Sequence, residues 1–334
     1  MKPNLRSRGS RSSGGGGRQE LPSVSVIGAG NWGTALALAL HRAGVAIPEI
    51  IVRRKLRSST ELATAVGARS TTMDRAELDA DVLWICTPDA VISSVAADLA
   101  ARLTAKAAKR TYNSETAVPR RAPIVFHSSG ALTSEELAAL RAVKASVASV
   151  HPLMTFPRNR RRRKALASQE LKGVPFALEG EARACSAARK LIGALGGEAF
   201  MLPAKDKALY HAFGAFTSPL LVAVLTAAVE AAVAAGWSAQ QSRRRMRSIV
   251  ERTVANFFAD GPGNSFSGPI ARGDAATVAR HLEVLRAHPH LASIYRELSL
   301  FAVDSLPTRN AGKIERVLND RAAPIRRTRR IVRG

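Results

Sequence analysis

Cysteine is nearly missing from this chain of 334 residues: Cys86 and Cys185 are the only two. That excludes a disulfide framework. Both lie in apolar stretches, where a thiol packs as a small hydrophobe, so a reducing cytoplasm is the expected compartment. Aromatics are also scarce, at 5% against 46% hydrophobic residues overall. The apolar content is therefore carried by alanine and aliphatic side chains, which favours a helix-rich protein. Acidic residues are outnumbered, 26 to 50, leaving a formal charge of +24. The excess is clustered in the N-terminal tail, "RNRRRRK" from Arg158, "RRRMR" from Arg243 and "RRTRRIVR" from Arg326. None of these clusters is interleaved with the aromatics that stack bases, so solvated basic tails and loops are expected rather than a nucleic-acid surface. No long apolar run is uninterrupted either. The most membrane-like stretch, from Ala212 to Trp237, contains Pro219 and Glu230 and reads as a buried or interface helix, not a span. The histidines flanking Pro289 have no third ligand near in sequence, so no metal site is expected.

What is present falls into two patterns. Short apolar runs ending in glycine or turn residues alternate with helical segments through the first half: "SVSVIGAG", "EIIVRR", "DVLWICTPD", "PIVFHSSGAL", "ASVASVHPLMTF" and "GVPFALEG". That alternation predicts a doubly wound α/β domain with a parallel sheet. A helix is expected from Ser134, and residues 105–122 read as an exposed insertion. After about Lys205 the strand signal stops and alanine-rich helices take over. The expected layout is a disordered basic tail over 1–20 and a Rossmann-like nucleotide-binding domain over 21–204, with its core motifs in 23–150. An all-α domain over 205–306 and a basic polar tail over 307–334 complete it.

The glycines of "GAGNWG" (Gly28, Ala29, Gly30, Asn31, Trp32, Gly33) fit G-x-G-x-x-G. The first allows a tight turn, the second lets backbone approach a diphosphate, and the third permits close packing of helix on strand. The motif follows a strand and opens a helix, whose N-terminal N–H groups favour an anion. At the end of the second strand an acid would receive the ribose 2′-OH of NAD. This chain has Arg53 and Arg54 there, twenty residues after Gly33. Guanidinium pairs with phosphate, so NADP(H) is the expected cofactor.

Four further stretches are dense in polar groups. "CTPDAV" places Thr87, Pro88 and Asp89 at a strand's carboxyl end, where open α/β sheets bind ligands, and these join the cofactor candidates. "HSSGAL" places His127, Ser128, Ser129 and Gly130 at the next such end. "KDKALYH" puts Lys207, Tyr210 and His211 on one helix face. "GPIARGDAATVARH" places Arg272, Asp274 and His281 around a helix start, with Asp274 as N-cap.

Together, HSSGAL, SVHPLMTF, KDKALYH and SGPIARGD resemble a family of two-domain Rossmann-like oxidoreductases whose C-terminal helical half is a domain of unknown function. The resemblance spans about Ser23 to Leu306. That family is similar to pyrroline-5-carboxylate reductases, ketopantoate reductases and 6-phosphogluconate-type dehydrogenases. It implies NADP binding and hydride transfer, with substrate lying between the Rossmann and helical domains. Two departures stand out. Pro219 replaces the asparagine usual in "FTSPLL", and would kink or break its helix. "RNRRRRK" replaces a mildly polar loop.

Reduction of a carbonyl or imine needs a hydride donor, a proton donor and a group to hold substrate charge. Lys207 is the first candidate proton donor, because desolvation lowers a lysine pKa towards neutrality. His211 is the second. Ser128, Ser129 and the backbone at Gly130 could cradle the nicotinamide or a substrate carboxylate, and Arg272 suits a carboxylate. His151, before Pro152, reads as a structural strand-end residue. The expected activity is NADPH-dependent reduction of a small carboxylate-bearing carbonyl, such as a ketopantoate-like 2-oxo acid, or of an imine. The alternative is a non-catalytic NADP(H)-binding sensor or scaffold. A homodimer is expected, because Ala212–Trp237 is apolar on more faces than one small domain buries.

Overall fold

The computed structural model describes residues 21–113, 122–156 and 171–320. The N-terminal tail, the end of the 105–122 insertion, the basic run from Arg158 and the run from Arg326 lie outside the described residues. The chain divides into two compact units, up to Ala215 and from Phe216 onward.

The first unit is built on eight strands: β1 (Val24–Ile27), β2 (Glu49–Val52), β3 (Arg69–Thr72), β4 (Val82–Ile85), β5 (Ile124–His127), β6 (Ser146–Pro152), β7 (Pro175–Gly180) and β8 (Glu198–Met201). Their order in the sheet is β3-β2-β1-β4-β5-β6-β7-β8. All neighbours are parallel except β6 and β7, which run antiparallel. β1, β4 and β5 are buried at every position, as continuous apolar strands in the middle of a covered sheet should be. β3 carries no apolar run. Its sequence, RSTT, pairs at the sheet edge with only Thr71 buried, so hydrophobic patterning does not reveal it.

Helices α1 (Asn31–Arg42), α2 (Arg57–Ala65), α3 (Ile92–Asn113), α4 (Ala182–Ala194) and α5 (Lys207–Ala215) complete this unit. One face of the sheet packs Leu36, Ala37 and Leu40 of α1 and Leu191 and Ile192 of α4. The other packs Ile92, Ala96 and Leu99 of α3. α3 runs well into the segment expected to be an exposed insertion, because "AKAAKR" is rich in strong helix formers. Lys106 ties it back through an ion pair with Asp79 at 2.6 Å. The helix expected from Ser134 forms instead as 3₁₀ turns over Ser134–Val143, with Leu137 and Leu140 both buried. Three residues apart, these leucines eclipse on one face at three residues per turn.

The second unit opens on a π-helical turn, Phe216–Leu220. The wider turn takes up Pro219, whose missing N–H cannot continue an α-helical ladder. Then follow α6 (Leu221–Ala234), α7 (Ala239–Ser265), α8 (Ala275–Leu285), α9 (Pro289–Ser305) and α10 (Ala311–Asn319). α7 kinks at Gly261, with φ at +75°, just before Pro262. Val278, Leu282, Val303, Ile314 and Leu318 form this unit's core. The last two lie in the stretch expected to be a polar tail. They stand four apart on one face of α10 and are fully buried, so 311–319 is an integral helix. Ala212–Trp237 is not the buried helix considered as one alternative. The helical stretch Ala204–Ala234 is long and apolar enough to cross a membrane, and none of its most apolar window is buried.

Candidate active site

The fingerprint turn joins β1 to α1 with the sterics its sequence demands. Gly28 sits at φ +107°, and a Cβ there would lie 2.8 Å from the Cys86 carbonyl oxygen. At Gly33 a Cβ would stand 1.9 Å from the Gly28 carbonyl oxygen, so helix and turn touch backbone to backbone. Gly30 faces open space. It is the N-cap of α1 without a side-chain cap, and no acidic residue occupies the first turn. Free N–H groups and the positive end of the helix dipole are thus left for a diphosphate. Thr87 Oγ1, at the end of β4, is buried with no hydrogen-bond partner among the described residues. An orphaned hydroxyl beside a diphosphate-shaped cradle fits a dinucleotide.

β2 bears on the choice of cofactor. Its single acid, Glu49, opens the strand at the far end. There it is buried and accepts hydrogen bonds from Arg69 at 2.5 Å and from the N–H groups of Glu77 and Leu78. At the carboxyl end Arg53 and Arg54 are exposed, and among the described residues neither pairs with a carboxylate. Two free guanidinium groups there suit a 2′-phosphate.

The polar residues at the ends of β4, β5 and β6 converge, but not all of them face outward. His127 is fully buried. Its Nδ1 accepts from the Ser129 N–H at 3.1 Å, and its Nε2 meets the Thr133 carbonyl at 2.9 Å, which fixes a neutral tautomer. Burial holds its pKa down at about 4. Ser129 Oγ donates to Asp89 at 2.8 Å and accepts the N–H groups of Ala131 and Leu132. Its hydroxyl closes the turn and is fully used. Ser128 Oγ accepts the indole N–H groups of Trp32 at 2.7 Å and Trp84 at 2.8 Å.

Lys207 is 1% exposed. Its Nζ donates to Ser149 Oγ at 2.7 Å and to the Ser129 carbonyl at 3.2 Å, and Ser149 Oγ donates to the same carbonyl at 3.0 Å. Burial lowers its pKa to about 8, opposed by the charges of Glu179 and Asp89. The ammonium is thus directed inward, under the Ser128–Gly130 turn. His211, four residues on, is exposed. Its ring and that of His151 close on Gly130, where a Cβ would lie 2.9 Å from His151 Nε2 and 2.9 Å from His211 Cδ2. Gly130 is required by this double approach.

His151 sits at the strand end, as expected, and also contacts α5. Its Nδ1 is hydrogen-bonded to Tyr210 OH at 2.9 Å, with the rings edge to face. Burial, then the charge of Lys207, pushes His151 down to about 4, and burial raises Tyr210 to about 12. Sequence reasoning gave neither residue a chemical role. The usable signal was position, since His151 is the second-last residue of β6, on the same edge of the sheet as Ser129 and Asp89.

Arg272 belongs to the second unit, where it is exposed at the end of the helical turn Pro269–Arg272. Asp274 caps α8, accepting from Thr277 N–H at 3.0 Å and Thr277 Oγ1 at 2.7 Å. His281 Nδ1 is hydrogen-bonded to Tyr295 OH at 2.9 Å, and His290 pairs with Glu230 at 2.7 Å.

Residues 23–108 match the family described as NADP oxidoreductase coenzyme F420-dependent, and residues 174–301 match the domain of unknown function DUF2520. The chain joins an NADP-oxidoreductase-type Rossmann-like domain to a DUF2520 domain. Among curated proteins no relative matches. Solved structures of similar fold include an NADP oxidoreductase from Bacteroides fragilis, with 20% identity and a TM-score of 0.64 over 84% of this chain and 97% of that one. The protein TM1727 from Thermotoga maritima has 20% identity and a TM-score of 0.61, over 88% and 98% of the two chains. An imine reductase from Myxococcus stipitatus in complex with NADP+ has 16% identity and a TM-score of 0.59, over 89% and 100%. At these identities the likeness is one of fold. NADP(H), named in the family description, is the cofactor that the fingerprint and the arginines of β2 accommodate.

Proposed function

We propose that this protein is an NADP(H)-dependent reductase of a small compound carrying a C=N or C=O bond, with 2-oxo acids and imines as the substrate classes to try first. One observation carries the reading: Lys207, Tyr210, His211 and His151 gather around Ser129 and Gly130 at the carboxyl edge of the sheet, on the edge that bears the fingerprint. A purely structural strand end has no need of so many titratable groups.

In this reading Gly28, Gly30, Gly33 and the first turn of α1 hold the diphosphate, and Arg53 and Arg54 hold the 2′-phosphate. The bound cofactor supplies hydride. The chain supplies the proton and the substrate's orientation. His211 and Tyr210 offer accessible acid groups, while Lys207 fixes the Ser129 turn and sets the local charge. A homodimer belongs to the same reading. α6 and α7 present Val222, Ile249 and Phe258 at 61%, 68% and 81% exposure, an apolar surface that a second copy would cover. The two free cysteines suit a reducing cytoplasm.

The test is a titration with NADPH and, separately, NADH, followed by nicotinamide fluorescence and then by turnover on a panel of 2-oxo acids and cyclic imines. NADPH binds more tightly than NADH, and Arg53→Ala with Arg54→Ala removes that preference. His211→Ala spares NADPH binding and lowers turnover by about a hundredfold or more, the usual range for a lost acid–base group, and Lys207→Ala lowers turnover by loosening the Ser129 turn. Retained turnover in both variants would refute these roles. Binding without turnover on any compound would favour a sensor or scaffold.

A further inference from the structure

Ser128 is a polar group that the reading above leaves without a task. Its oxygen takes two indole N–H groups, from Trp32 and Trp84, which fills both lone pairs. Trp84 is wholly buried on β4. Trp32 is different: it is the second residue of α1, inside the fingerprint, and only half-buried. Its ring packs on Phe156 with centroids 4.8 Å apart and meets the edge of Trp84 at 6.3 Å. The neighbouring Asn31 amide donates to the Phe156 carbonyl at 3.3 Å.

The indole of Trp32 thus begins at the diphosphate turn and ends, through its N–H, at the tip of β5. In the sheet β1 is flanked by β2 on one side and by β4, then β5, on the other. Arg53 and Arg54, at the end of β2, place the adenosine half on the β2 side. A dinucleotide lying across the carboxyl edge must then send its nicotinamide half over β4 towards β5. Trp32 spans that path, and its orientation is locked by the Ser128 hydrogen bond and the Phe156 contact. We propose that Trp32 seats the nicotinamide half of NADP(H), with Ser128 as the anchor that holds the indole in place. A fixed aromatic face under a planar ring restricts where the ring lies at little entropic cost. Trp32 and Ser128 are positioning residues and take no part in proton transfer.

The inference rests on the NADP(H) reading, and the experiment separates the two. Binding of NADPH and of 2′-phospho-AMP, the cofactor without its nicotinamide half, is measured by calorimetry for the full chain and for Trp32→Ala, Trp32→Phe and Ser128→Ala. Trp32→Ala weakens NADPH about tenfold, within the range an aromatic platform contributes to a stacked ring. It changes 2′-phospho-AMP affinity by less than about twofold. Trp32→Phe and Ser128→Ala fall between, since one keeps a ring and the other keeps the indole without its anchor. Affinity for both ligands unchanged in Trp32→Ala overturns the proposal. So does an equal loss for both ligands in Trp32→Phe, which would make Trp32 part of the diphosphate turn alone. If the unaltered chain binds neither ligand, the cofactor reading itself has failed, and the seat falls with it.

Discussion

The two compact units spend their apolar residues differently. In the first, β1, β4 and β5 are buried along their whole length, and helices cover both faces of the sheet. In the second, α6 has the most apolar composition of any helix and not one buried residue. Its neighbour α7 exposes Ile249, Phe257 and Phe258. Equal hydrophobicity in sequence therefore has opposite consequences. In the first unit it is satisfied within the chain. In the second it stays exposed on α6 and α7, the surface on which the proposed homodimer rests.

The sharpest way to break this comparison is a matched pair of truncations. Phe126 is fully buried on β5, edge to face with Trp84, and Phe126→Ala lowers unfolding stability by about 3–5 kcal/mol at any protein concentration. Phe258 is 81% exposed, and in an isolated chain Phe258→Ala would shift stability by no more than about 0.5 kcal/mol. In a dimer that covers α7 the same change weakens association, so the melting temperature becomes more dependent on concentration. Denaturant melts and light scattering across a concentration series read both effects. A Phe258→Ala variant that matches the unaltered protein in mass and melting at every concentration would leave the second unit's apolar face without a role in self-association.

How far the sequence disclosed each unit follows the same division. The fingerprint and the central strands were legible, because close packing and continuous burial leave residue-level signatures at fixed spacing. β3 was not, since an edge strand of RSTT lacks the apolar run that marks a buried one. α10 was hidden by its arginine-rich surroundings, although Ile314 and Leu318 stand one helical turn apart. At the site the residue types were legible and their directions were not. Lys207 and His211 share a helix face in sequence, yet one turns inward to Ser129 and the other is exposed. Only the fold could reveal that, because burial of Lys207 depends on Ser149 of β6 reaching it. Tyr210 and His151 are 59 residues apart, and no local pattern announces their hydrogen bond.

A second prediction concerns acid. His127 is neutral and buried in the folded first unit, with its pKa held at about 4 against an ordinary 6.5. Below 6.5 the unfolded chain takes up a proton that the folded chain refuses. Stability therefore falls as pH drops from about 6.5 towards 4, by on the order of 3 kcal/mol for this group. Lys207 acts in the opposite range. Its folded pKa of about 8 lies below the ordinary 10.5, so the unfolded state binds the extra proton between those values, and stability rises with pH across that window. Urea midpoints from pH 4 to 10, with Lys207→Met for comparison, separate the two arms. The variant should lose the alkaline rise and keep the acid fall. An alkaline rise undiminished in Lys207→Met would assign it to another group.

The smallest effect tests a polar contact internal to the second unit. Asp274 accepts from the Thr277 N–H and hydroxyl at the start of α8, and these bonds hold its carboxyl below the usual carboxylate range. Asp274→Ala should lower stability, as the loss of a helix N-cap does, and Asp274→Asn less, since an amide oxygen still accepts. The cap is internal to the unit, so the cost should be the same at low and high protein concentration. NADPH affinity should not change. A loss of turnover in Asp274→Asn with stability intact would give this carboxylate a task beyond capping, and would show that the second unit contributes chemistry as well as surface.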